Sequence, residues 1–126
     1  MDSAAEQQAI AATRRALALV KDVRVDDEDG RWVRALAARY VGSASTTRRG
    51  RDSAYAGAMA RIADDNPHDP AALALAAEAT MDLSPWRYWT REGRARPGTP
   101  TMLRWLERGM MTSPDHPGIC HFYIRN

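Results

Sequence analysis

An all-α fold of about six helices, arranged as stacked antiparallel hairpins, is predicted for this chain by three observations. Asn66-Pro67-His68-Asp69-Pro70 is echoed by Ser113-Pro114-Asp115-His116-Pro117, and each is followed by an apolar stretch. Each unit reads as a helix end, a Pro-bounded turn and a new helix with Pro at its first position. Apolar residues elsewhere recur at helical rather than alternating spacing, and no hairpin or parallel-sheet signal stands out.

The first helix is expected from about Ser3 to Asp22, with Ser3 and Glu6 as a capping box. Ala9, Ile10, Ala16, Leu17 and Val20 form its apolar stripe. The acidic run Asp26-Asp27-Glu28-Asp29 favours a helix N-terminus, so a second helix should follow it. Its inner face would carry Trp32, Val33, Leu36, Ala37 and Tyr40, and Gly42 would end it. Residues 42–51, with Gly, Ser, Thr and Arg and no apolar anchor, read as a flexible loop. The third helix should span about Asp52 to Asp65, turning Tyr55, Met59, Ile62 and Ala63 inward.

Asp69 and Pro70 begin a fourth helix that runs to about Leu83, and its many alanines imply neighbours on several faces. Residues 84–98 form a long connection carrying Pro85, Trp86, Tyr88 and Trp89. A loop of that length in a compact domain needs a reason, and burial of Trp86 and Trp89 against the helices would supply one. The fifth helix starts with Thr99 as cap and Pro100 at its first position, burying Leu103, Leu106 and Met110. The sixth starts near Pro117. The whole, residues 1–126, is read as one domain.

Composition excludes some functions. Lys+Arg 18 against Asp+Glu 16 gives a formal charge of +2, with Lys21 the only lysine. That balance argues against a strong polyanion binder. Cys120 is alone, so no internal disulfide forms, which fits a reducing cytoplasm. The N-terminus lacks the basic and apolar segments of a signal peptide. No apolar run approaches the roughly 18 residues of a membrane span.

The paired helices resemble degenerate tetratricopeptide repeats. Trp32, Leu36 and Tyr40 resemble first-helix positions, and Pro67 and Pro114 resemble the closing prolines. Their spacing is 47, by subtraction, against 34 in the standard repeat. Residues from about Tyr55 onward also resemble the N-terminal part of longer bacterial tetratricopeptide-repeat proteins of largely uncharacterised function. The shared segments are Met81-Asp82-Leu83, Pro85-Trp86-Arg87-Tyr88-Trp89, and His116-Pro117-Gly118-Ile119-Cys120-His121-Phe122-Tyr123-Ile124-Arg125. Arg125 stands where that group tends to have a second histidine, and this chain stops where the group continues. The resemblance implies a protein or peptide interaction scaffold without a cofactor, with helices two paired to three and four to five.

On that reading Trp32, Tyr40, Glu78, Asp82, Trp86, Tyr88 and Trp89 are the candidate binding residues. Two alternatives stand beside it. Glu78, His116 and His121, with Asp82 and Cys120 nearby, offer donors suited to a divalent transition metal. The competing reading of the same residues is a Glu78–Arg125 ion pair, His116 as helix cap and Cys120 as a small core residue. The second alternative is weak nucleic-acid binding by the loop in which Arg87, Arg91, Arg94 and Arg96 interleave with aromatics. Arg48-Arg49-Gly50-Arg51 is read as a solvated part of the flexible loop. No nucleophile with an adjacent base appears, so no catalytic residue is assigned. Ile119, Phe122, Tyr123 and Ile124 surround the last helix, and a homodimer through it is expected.

Overall fold

A computed structural model of the chain describes residues 3–20, 28–41 and 47–125. Its six helices are α1 (Ser3–Val20), α2 (Glu28–Tyr40), α3 (Arg48–Asp65), α4 (Pro70–Asp82), α5 (Thr99–Thr112) and α6 (Pro117–Ile124). The fold is all-α. Among the described residues the only β feature is an isolated antiparallel bridge, Trp89 with Ala95. No helix of the described residues is long and apolar enough to cross a membrane. The chain divides into two compact units, residues 1–58 and 59–126.

In the first unit α1 packs against α2. The predicted stripe of α1 is half-buried, and Thr13 at its centre is fully buried, its hydroxyl donating to the Ala9 carbonyl at 2.8 Å. Gly30 permits the approach: a Cβ there would stand 3.1 Å from Val20. The inner face of α2 is built from Ala35 and Ala37. Trp32, Val33 and Tyr40 are half-buried and Leu36 is exposed, so the large side chains occupy the flank of the contact, not its centre. The predicted pairing of the second helix with the third is corrected accordingly. The close partner of α2 is α1, and α3 meets α2 through side chains, with Arg39 paired to Asp52 at 2.9 Å and lying over Tyr55.

Residues 42–46 of the expected flexible loop lie outside the described residues. The remainder is not a loop. The Thr47 hydroxyl accepts from Gly50 N–H at 3.1 Å, its carbonyl accepts from Arg51 N–H at 3.1 Å, and α3 begins at Arg48. Arg48 then pairs with Asp52 across one turn, and Arg51 pairs with Glu6 of α1. A cap and two carboxylate partners outweigh the poor helix propensity of a Gly-containing segment.

The second unit is organised on α4. Asp69 caps it, its carboxylate accepting from Ala71 and Ala72 N–H, and Pro70 opens it as predicted. Ala72, Leu73, Ala74, Ala76, Ala77, Ala79 and Met81 are buried, which is nearly its whole circumference. Both α5 and α6 pack on α4 and on each other. Met59, Ile62 and Ala63 of α3 are buried as expected, and Trp105 Nε1 donates to the Asp64 carboxylate at 3.1 Å. The start of α5 differs from expectation. Gly98, at φ +89, holds the cap position, and Pro100 follows Thr99 in the first turn. Thr99 is drawn inward, its hydroxyl donating to the Tyr88 carbonyl at 2.8 Å.

In α6 Ile119 is fully buried and sits over Gly109 of α5, while Tyr123 and Ile124 remain exposed. A Cβ at Gly109 would lie 2.4 Å from Ile119 Cδ1 and 2.8 Å from its Cγ1. Gly109→Ala should therefore lower the melting temperature, although alanine is the better helix former by about 1 kcal/mol. Overpacking a core of this kind costs about 1–3 kcal/mol. Ile119→Val removes Cδ1, so the same substitution in that background should cost less. Thermal melts of the two single variants and the double variant check this.

Candidate functional site

Four of the predicted binding residues converge on one cleft. Glu78 and Asp82 stand one turn apart near the C-terminal end of α4. With Trp86, Tyr88, Phe122 and Arg125 they enclose a cleft of about 70 Å³, floored by Met81 and edged by Pro85. The helix end is locally unfavourable for those carboxylates, because the macrodipole there is negative and like charges one turn apart repel. Neither carboxylate forms an ion pair among the described residues.

The predicted Glu78–Arg125 ion pair is not formed. Arg125 shares the cleft, but its guanidinium lies over the Trp86 ring, 4.3 Å from the centroid, and Nη1 is 3.2 Å from His121 Nε2. A planar guanidinium stacks well on an indole, a contact worth about 0.5–1 kcal/mol at exposed sites. That stacking takes the cation away from the carboxylates.

Trp86 itself corrects a second expectation. It is 71% exposed rather than buried. Its backbone has φ +61, and Arg87 N–H donates to the Ser84 carbonyl at 3.0 Å. Ser84-Pro85-Trp86-Arg87 thus has the pattern of a type II turn, with Pro at the second position. The third position requires positive φ and usually carries Gly or Asn. A tryptophan there is strained by roughly 1–3 kcal/mol. The turn throws the indole outward, over the cleft.

The rest of residues 84–98 is ordered by its own backbone. Thr90 N–H donates to the Arg94 carbonyl at 2.8 Å, and Arg96 N–H donates to the Tyr88 carbonyl at 2.9 Å. Gly93, at φ +77, closes the tip by donating to the Thr90 carbonyl. This is a small hairpin, which the sequence reading did not foresee. The signal was present: a short loop with Gly at the αL position between two arms. Tyr88, 8% exposed, is the aromatic that anchors it, while Trp89 is 41% exposed. The Tyr88 carbonyl accepts both the hairpin's Arg96 N–H and the Thr99 hydroxyl, tying the hairpin to the first turn of α5. On the other side of Tyr88 lies a second cavity of about 240 Å³, between Thr80 of α4, its C-cap Leu83, Arg87, and Gly98, Thr99 and Met102 at the α5 start.

Trp32 and Tyr40 are not part of this cleft; both are half-buried on α2 in the unit 1–58. The alternative ligand set is not assembled either. Among the described residues no three His, Cys, Asp or Glu side chains gather closely enough to hold a metal ion, so Glu78, His116 and His121 do not fit one. His116 is turned back as the cap of α6, its Nδ1 accepting from Ile119 N–H at 3.3 Å. His121 faces Arg125 and packs edge-on against Phe122. Cys120 is half-buried, its thiol donating to the Pro114 carbonyl. Phe122, read from the sequence only as part of a dimer face, and Pro85, read only as part of the connection, also line the cleft.

These roles separate in stability. Tyr88→Ala should cost about 3 kcal/mol, as for other buried aromatics, lowering the melting temperature by roughly 10 °C or more. Trp86→Ala should change it little, and Trp86→Gly, which satisfies the turn, should leave it at or above the unsubstituted value. Melting curves that fell as far for Trp86→Ala as for Tyr88→Ala would mean that Trp86 is the anchor.

Comparison with known proteins finds no family model that matches the chain, no matching curated protein and no matching solved structure.

Proposed function

We propose that this chain is a binding module, a helical scaffold resembling tetratricopeptide repeats that takes a protein or peptide segment, and not an enzyme. The observation that carries the reading is the cleft at the end of α4. Trp86 is held outward by a strained turn, beside two carboxylates without ion-pair partners and a guanidinium that stacks instead of pairing. Strain and unpaired charge are retained where a partner uses them. The cleft is too small for a whole ligand and suits one side chain of an extended segment. The groups around it are those of recognition: an aromatic wall, hydrogen-bond acceptors and one fixed donor. The paired stacking of α4 with α5 and α6, and the repeated Pro-bounded joints capped by Asp69 and His116, support the scaffold reading.

Selection from a displayed library of random peptides tests this. Enrichment of a peptide family that binds the unsubstituted chain is expected. Trp86→Ala, and Glu78→Gln combined with Asp82→Asn, should each weaken binding of that family at least about tenfold, the loss of one hot-spot contact. Failure to enrich any family, or peptides indifferent to both variants, would overturn the proposal.

A further inference from the structure

One cation already stands in the cleft at the end of α4. Arg125 reaches it from the end of α6, and its guanidinium lies 4.3 Å from the centre of the Trp86 ring. Its Nη1 is 3.2 Å from His121 Nε2. Glu78 and Asp82 line the same cleft, yet neither pairs with Arg125 or with any other cation among the described residues. Two groups that would ordinarily satisfy each other are therefore kept apart. The guanidinium is on the indole, and the carboxylates are left open at the mouth of the cleft.

That lining selects the side chain that can enter. A pair of carboxylates accepts hydrogen bonds and offers none, so a guest carboxylate or phosphate is repelled. The charged lining holds two acids against Arg125 alone, and the negative end of the α4 dipole adds to the same field. Side chains one turn apart on a helix have Cβ atoms about 5–6 Å apart, a span that a single guanidinium can bridge with donors on both of its edges. The same planar group lies flat on an aromatic face, which an ammonium does not match. Trp86, 71% exposed, shows what its ring accepts, because the chain's own guanidinium is stacked on it.

Resting on the reading of this cleft as a peptide site, we propose that the side chain it takes is an arginine of a basic partner segment. Glu78 and Asp82 pair with the incoming guanidinium, and Arg125 is a resident competitor for the Trp86 face. The test uses displayed libraries of random uncharged peptides built around one central Arg, Lys, Leu or Glu, selected on the full chain. The Arg library should enrich most strongly. Exchanging the central Arg of an enriched peptide for Gln should weaken binding at least about tenfold, the loss of one hot-spot contact. Exchange for Lys, which keeps the charge and loses the planar fork, should weaken it less. Arg125→Ala should tighten binding severalfold, since the free site is then no longer partly occupied by the chain itself. Circular dichroism melts verify that this variant remains folded. Enrichment from the Leu library alone, with binding still lost in Trp86→Ala, would overturn the arginine assignment and leave the peptide site standing. Enrichment from the Glu library, with binding that Arg125→Ala weakens, would overturn it as well and make Arg125 the donor to the ligand. An Arg peptide whose affinity Arg125→Ala leaves unchanged would overturn the competitor role. No enrichment from any library would overturn the peptide site and the arginine assignment together.

Discussion

The constraint on which the second unit depends is the smallness of the α4 surface. Ala72, Ala74, Ala76, Ala77 and Ala79 are buried on different sides of that helix, so α5 and α6 can both approach it closely. A Cβ on Gly118 of α6 would already be 3.3 Å from the Ala74 methyl. With larger side chains on α4, one of the two neighbours would be pushed away. Close packing on two sides sets α6 along α4 from Ala74 toward its C-terminal end, and Phe122 and Arg125 then meet Glu78 and Asp82. The cleft is a consequence of that packing, and its chemistry comes from the few polar side chains that the packing leaves at the rim.

Tyr88 divides the labour of the connection between α4 and α5. Its ring supplies the burial, and its carbonyl gathers the two hydrogen bonds that hold the hairpin shut and against α5. The flanking aromatics Trp86 and Trp89 are less buried than Tyr88. Trp86 is turned out by the Ser84–Arg87 turn, and Trp89 faces the opposite side of the ribbon from Tyr88, as successive residues of a strand must.

Part of the site was legible in the residues. The aromatic segment, the Glu78–Asp82 pair and the expected nearness of Arg125 to Glu78 were all read from the residues, and they do lead to one cleft. The direction of each side chain was not legible. Which of three neighbouring aromatics is buried depends on the sign of φ at Trp86, and a Ser-Pro-Trp-Arg segment does not reveal that positive φ is tolerated at a tryptophan. Arg125 was expected to pair with Glu78, whereas its guanidinium lies over the Trp86 indole. The choice is settled by where the indole stands, and that is set by the turn. Thr99 looked like a cap because Thr-Pro usually is one; a buried carbonyl in need of a donor drew it inward instead.

Helix number, helix order and the joints at Asp69-Pro70 and His116-Pro117 were determined by the sequence alone, because caps, prolines and 3.6-residue periodicity act within a few residues along the chain. The same locality explains the inward set of α3 and the all-round burial of α4. Tertiary structure decided what depends on residues far apart. It set α1, not α3, as the close partner of α2, through the glycine at position 30, and it extended α3 back to Arg48 once Glu6 and Asp52 were in reach of its arginines. It seated Ile119 over Gly109 and thereby placed α6. It also settled whether each histidine caps, stacks or stands ready to ligate, since a side chain takes whichever partner the packed backbone brings within about 3 Å.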